Sequence, residues 1–143
     1  MDLRRATSAA YYALFHGINR YVAWSALPGA VEEDWLRLTR SIGHQSIRDV
    51  ATWVAEGRGP EHLRPLLQVC SSDTELSRLA DTFLAAQQDR HRADYDHLWS
   101  VSKPTVVSQI QAVQEALDSM TALHLTLPFH IFSTAVLLKS TPR

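Results

Sequence analysis

Apolar residues recur along this chain at three- and four-residue spacing, the period of an α-helix with one buried face. Tyr11, Leu14, Phe15, Ile18, Tyr21 and Val22 form the first such stripe. They predict a helix from about Asp2 to about Trp24. Ala6, Ala10, Ala13 and Gly17 make a second stripe of small residues, suited to close approach of another backbone. Arg5, Ser8, Tyr12, His16 and Asn19 make a third, polar line. A polar line is ordinarily a solvated face; the alternative is that it lines a cleft or a dimer seam.

Leu27-Pro28-Gly29 is a turn signal that ends the first helix. Val31 to Thr39 predicts a second helical piece, with Glu32, Glu33 and Asp34 at the end where the helix dipole favours negative charge. Ile47, Val50, Trp53 and Val54 restore helical spacing up to Glu56, and Gly57-Arg58-Gly59-Pro60 is a loop. Pro60 to Val69 reads as a short helix kinked or interrupted at Pro65. Ser71 to Thr74 are capping residues. The helix they start carries Leu76, Leu79, Phe83 and Ala86 inward. After a break at Ser100 to Pro104, with Ser102 as cap, Val106, Ile110, Val113, Leu117 and Met120 define a last long helix to about Leu125. Pro128 interrupts, and 126–143, with Phe129 to Leu138 as its apolar part, is expected to be a short docking helix or a tail.

No segment reads as a strand, a repeat or a low-complexity tract. The pattern therefore predicts an all-α fold, an antiparallel up-and-down bundle of four to six helices in one domain, 1–143, with its core between about 2 and 125. The 143 residues suffice for a real core, and 45% hydrophobic against 20% charged residues is a globular mix. A net charge of −1 gives no global basic field for nucleic acid, so RNA contact would need a local patch. The single Cys70 excludes an internal disulfide and fits a reducing cytosol. No membrane association is expected: His16, Asn19 and Arg20 interrupt any signal-like apolar run, and Ile131 to Leu138 is too short to span. A cytoplasmic protein is the reading.

The candidate chemistry lies in Asp89-Arg90-His91-Arg92-Ala93-Asp94-Tyr95-Asp96-His97. Continuing the inner stripe four residues past Ala86 gives Arg90, whereas Arg92 lies about 200° further round and faces elsewhere. Asp94 is four residues beyond Arg90, the spacing of a helical ion pair. The bland reading is that this pair closes the helix end with Tyr95 packed beneath. The sharper one is that Arg90 binds phosphate, for which its fork is suited, with His97 as acid/base near neutral pH. Asp94 would orient either group. Asp89, His91, Asp94, Asp96 and His97 also offer metal-ligand atoms, but histidines six apart do not share a helix face, and no metal site or cofactor is expected. Cys70 follows an apolar run without a histidine nearby in sequence and is a weak nucleophile candidate.

Two segments carry a family resemblance. Ala9-Ala10-Tyr11-Tyr12-Ala13-Leu14-Phe15-His16 resembles the first-helix signature of HEPN domains, and Arg90-His91-Arg92-Ala93-Asp94-Tyr95-Asp96 resembles their second signature, an arginine, two variable residues and Ala-Asp-Tyr-Asp. Gly43-His44-Gln45-Ser46-Ile47 is similar to a weaker feature, a histidine opening the second long helix. The resemblance covers about Asp2 to Leu125. It implies a helical bundle that dimerises. Many members are metal-independent endoribonucleases, often toxins of toxin–antitoxin pairs. Others are non-catalytic partners of nucleotidyltransferases or nucleotide-binding modules. The ribonuclease members share an arginine, four to six residues and a histidine, which Arg92–His97 and Arg90–His97 both satisfy; the Ala-Asp-Tyr-Asp match assigns the role to Arg90. Many toxin-type members have that histidine where this chain has Asp94, so His97 is offset. The resemblance thus implies Arg90, His97 and Asp94 as catalytic. Arg92, Tyr95, Tyr12 and His16 would shape the site or bind RNA or nucleotide. The implied partners are a second copy, and an antitoxin or a nucleotidyltransferase.

Overall fold

Helix α1, Leu3–Ala26, is the element against which most others pack. The computed structural model describes residues 2–140, and among these there are seven α-helices and no strand. Asp2 caps α1 by accepting from the Arg5 N–H, as a short acidic residue at that position does. α2 (Glu32–Thr39) buries no residue and rests on α1. Trp35 pins it there, donating from Nε1 to the Leu27 carbonyl at 2.8 Å and meeting Trp24 edge to face at 5.9 Å. α3 (His44–Glu56) ends on Gly57, whose φ of 65° is the left-handed conformation that glycine adopts without a Cβ penalty.

A 3-10 turn, Glu61–Leu63, leads into α4 (Arg64–Ser72). α5 (Thr74–Tyr95) starts on Asp73, whose side chain accepts from the Leu76 N–H at 2.9 Å. α6 (Lys103–Leu123) starts on Ser102, which accepts from the Thr105 N–H. α7 (Leu127–Ser140) completes the described residues.

The all-α expectation holds, but seven helices replace the four to six expected. The difference comes from the prolines. Pro65 and Pro128 each stand in the first turn of a helix, where the absent N–H would have had no intrahelical partner. They start α4 and α7 rather than interrupt a helix. The segment expected to be a docking helix or tail is a 14-residue helix with Phe129, Phe132 and Val136 inside the core. Positions 141–143 of that segment lie outside the described residues. The core therefore extends beyond residue 125.

One continuous apolar cluster joins α1, α3, α5, α6 and α7. Tyr11, Leu14, Ile18 and Val22 of the first stripe are fully buried, as are Leu76 and Phe83 of α5. Each such side chain contributes about 1.5–3 kcal/mol by leaving water. The stripe of α6 differs from expectation at one position: Ile110 is 43% exposed, on the margin of a buried line through Val106, Val113 and Met120. The small-residue stripe matters most at Gly17, where a Cβ would run into the Leu117 side chain of α6. Among the described residues no single helix is long and apolar enough to cross a membrane; α6 and α7 pass only as a pair, by length and composition, and meet at a bend of 106°.

Candidate functional site

The polar line of α1 and the inner stripe of α5 meet. Four residues of the expected site come together there. Arg90 continues the stripe of Leu79 and Phe83 and arrives opposite Tyr12. Its Nη2 donates to the Tyr12 hydroxyl at 2.7 Å, and its Nε lies 2.8 Å from Asp94 Oδ2. The Nε–H is not aimed at that oxygen, so the Asp94 contact is an ion pair rather than a linear hydrogen bond. Asp94 is held from the other side by Ser8, which donates to Oδ1 at 3.1 Å.

Three rings surround the guanidinium, those of Tyr12, Tyr11 and Tyr95, with centroids at 5.2, 5.8 and 5.9 Å. Their faces attract the cation and shield it from water. Burial works against the charge of Arg90, but Tyr12, Asp94 and Tyr95 outweigh it and raise the pKa above its ordinary value. The group stays charged, and none of these contacts uses its Nη1. Tyr95 is largely exposed and turns its other side to His91, 4.9 Å away between centroids.

Behind these residues is a second set that the sequence only partly disclosed. Tyr11 is fully buried, and its hydroxyl meets His44 Nδ1 at 2.5 Å while accepting from Gln87 Nε2 at 3.4 Å. Burial raises the pKa of Tyr11. His44 opens α3 and lies flat on Phe15, with centroids 3.7 Å apart and planes 9° from parallel. Burial, and then the charges of Arg90 and His16, lower the pKa of His44. At neutral pH its imidazole is uncharged. Gln87 donates to the Tyr11 oxygen, so the phenol hydrogen is free for His44 Nδ1, a pairing that goes with the ring proton on Nε2. His16 adjoins this set, 6.3 Å from Tyr12 between ring centroids.

Arg92 faces away, as periodicity requires. It is about half exposed, and its nearest acid is Asp89 at 4.0 Å. Asp89 serves the helix interface instead, accepting from Gln109, which in turn accepts from Thr7. Burial raises its pKa. His97 lies beyond the end of α5, in an exposed turn, and its side chain shares none of the Arg90 contacts. Only its carbonyl is engaged, by Arg4.

Arg4 is the residue that sequence reasoning missed most completely. It reaches from the start of α1 to the end of α5, donating to the carbonyls of Ala93 (3.0 Å), His97 (3.3 Å) and Trp99. Its guanidinium lies over the Trp99 ring at 5.7 Å. A cation at carbonyls left free by a helix C-terminus is favourable. Arg4 thereby fixes the segment that carries Asp94 and Tyr95. No sequence signal links positions so far apart. For Tyr11 there was one: a buried phenol needs a partner for its hydroxyl.

The centre sets a fixed guanidinium against a phenol and one carboxylate, with the His44 imidazole behind it and His16 beside Tyr12. Among the described residues no three His, Cys, Asp or Glu side chains converge as metal ligands. Cys70 is buried, with its thiol directed to the Pro128 carbonyl and its pKa pushed up to about 11, chiefly by burial. It stays a thiol at neutral pH and is a poor nucleophile. Comparison of the chain with family models, with curated proteins and with solved structures finds no match.

Proposed function

We propose that this protein is a HEPN-like, RNA-targeting domain that takes a phosphate group of its ligand at Arg90. The observation that carries the proposal is the fixing of Arg90: one hydrogen bond to Tyr12, one ion pair to Asp94 and three aromatic rings orient it, and Nη1 is left uncommitted. The two segments that resemble HEPN signatures are those that supply these residues, Tyr11 and Tyr12 from α1, and Arg90, Asp94 and Tyr95 from α5. An up-and-down bundle acting as a homodimer belongs to the same proposal.

Metal-independent ribonuclease activity, as in the toxins of toxin–antitoxin pairs, is the catalytic form of this reading. It asks for a base at the 2′-hydroxyl, an acid at the leaving 5′-oxygen and a cation at the phosphorane. Arg90 would be the cation and His97 the acid/base, the histidine reaching the arginine of a second copy. A non-catalytic module that binds a nucleotide, or a partner such as a nucleotidyltransferase, is the second reading. It is favoured by the exposed turn that holds His97 apart from the Arg90 cluster.

Single-stranded RNA binding and cleavage in the presence of EDTA test both forms. Arg90→Ala should abolish binding. Cleavage by the parent, lost in His97→Ala with binding retained, would establish the ribonuclease. Binding without cleavage would leave the module. Undiminished binding by Arg90→Ala would end the proposal.

A further inference from the structure

The polar line of α1 does not stop at His16. One turn on, Asn19 and Arg20 enter a groove of about 670 Å³ between α1 and α2, a volume ordinary for a small-ligand site. Its walls include the indoles of Trp24 and Trp35, and Arg20 and Arg40 stand at its rim. His16 belongs to this groove and also to the Arg90 centre, so the two are continuous.

Asn19 is the unusual residue. It is only 4% exposed, and its carboxamide oxygen is buried without a hydrogen-bond partner. A buried carbonyl left unpaired is costly, and a chain this well packed elsewhere keeps such a group where a ligand completes it. Its carboxamide offers a donor beside an acceptor, the pairing edge that asparagine uses on nucleobases. Indole faces supply stacking for any base, and arginines at the rim suit the attached phosphates.

We infer that the groove between α1 and α2 is a nucleobase subsite, in which Asn19 reads the base edge, an indole of the Trp24–Trp35 pair stacks on one face, and the strand's phosphate continues to Arg90. The inference rests on the RNA-binding reading for its place on a strand, but the groove's own chemistry is testable without it. α2 is the outer wall: it buries no side chain, and Trp35 ties it to the Leu27 carbonyl.

The test uses the four uncharged ribonucleosides, which do not need Arg90, with tryptophan fluorescence of the full chain as readout. At least one nucleoside should quench at millimolar concentration or below, and should do so equally in Arg90→Ala. Asn19→Leu, nearly isosteric, should weaken that quenching about tenfold or more, the worth of one good hydrogen bond. It should also leave the melting temperature equal or raised, because it removes an unpaired buried oxygen. A lowered melting temperature with unchanged quenching would assign Asn19 to packing and overturn the proposal. So would the absence of quenching by all four nucleosides. Self-association abolished by Leu36→Asp, without nucleoside binding, would give the groove to a second copy instead. Should Asn19→Leu fail to fold, Arg40→Ala at the exposed rim keeps the test alive: it should weaken binding of the nucleoside 5′-monophosphate while leaving the nucleoside's unchanged, and equal binding of both to variant and parent would overturn the assignment. RNA binding undiminished in Arg90→Ala, with nucleoside binding intact, would end the Arg90 reading and leave the groove standing.

Discussion

Tyr12→Phe removes one oxygen and leaves the ring, so it isolates the hydrogen bond that orients Arg90. That bond is 2.7 Å long and its donor is charged, a class worth about 1.5–3 kcal/mol when shielded. The Arg90 side chain is 23% exposed, and the released guanidinium would recover part of its hydration. The expected loss is therefore at the low end, roughly 1 kcal/mol. With a urea m-value of about 1–3 kcal/mol/M for a small protein, the unfolding midpoint should fall by about 0.3–1 M at constant m. The number alone does not identify the bond, because a phenylalanine also changes the hydration of the ring. Arg90→Met supplies the second edge of a double-mutant cycle, keeping the stem but not the charge. Tyr12→Phe should cost little in that background, and the coupling should be close to the whole single-mutant effect. A coupling within about 0.3 kcal/mol of zero would mean that the hydroxyl does not hold the arginine. The account of a pre-oriented cation would then fail. RNA affinity should fall in Tyr12→Phe as well, by less than in Arg90→Ala, because the charge remains but its direction is no longer set.

Two further outcomes follow from the same contacts. Arg4→Met should destabilise the protein by about 2 kcal/mol, since a charged, half-buried group loses three carbonyl acceptors. Hydrogen exchange should quicken first at the amides of 93–99, and equal protection there in variant and parent would refute the clamp. His44 makes stability depend on pH. Its folded pKa lies below the unfolded value of 6.5, so above that pH both states are neutral and its contribution is fully present. On acidification the unfolded chain takes the proton first, and stability falls from pH 6.5 down to the folded pKa. Thermal melts of His44→Gln should show a flatter dependence than the parent over that window, and parallel curves would show that His44 carries no such linkage.

The helices were legible because their signals are local. Asp73 and Ser102 cap the helices that the Ser71-to-Thr74 run and the Ser100-to-Pro104 break announced. Arg90 was legible for the same reason, since one more step along the stripe of Leu79 and Phe83 identifies it. Pro65 and Pro128 were misjudged because a proline in a first turn and a proline in a helix interior look alike until the start of the helix is known. The contacts across the fold were not legible. Tyr11 bonds to a histidine 33 residues away, and Arg4 to carbonyls 89 to 95 residues away. Asn19 stood in a polar line that the sequence allowed to be either a solvated face or a cleft. Its near-complete burial decides for a cleft at that end of the line, with Tyr12 and Ser8 engaging Arg90 and Asp94 at the other.

α5 also contains its own comparison for Arg90. Arg92 is the same residue type two positions away, with an acid at helical spacing. It is the pair expected of an ordinary solvated helix: 4.0 Å from its partner, about half exposed and facing no ring. Surface pairs of that kind contribute about 0–1 kcal/mol and require no further support. Closing the end of α5 would need no more than this, and Arg4 already binds the Ala93 carbonyl in its last turn and those of His97 and Trp99 just beyond it. Arg90 has a pre-positioned carboxylate, a phenol donating nothing but accepting from it, three rings and a neutral imidazole nearby. Four helix positions of α1 and α5, Ser8, Tyr12, Asp94 and Tyr95, are spent on orienting one side chain whose outer nitrogen bonds to none of them. An ion pair does not need that direction fixed. A ligand whose phosphate must meet the outward Nη1 in a set direction does.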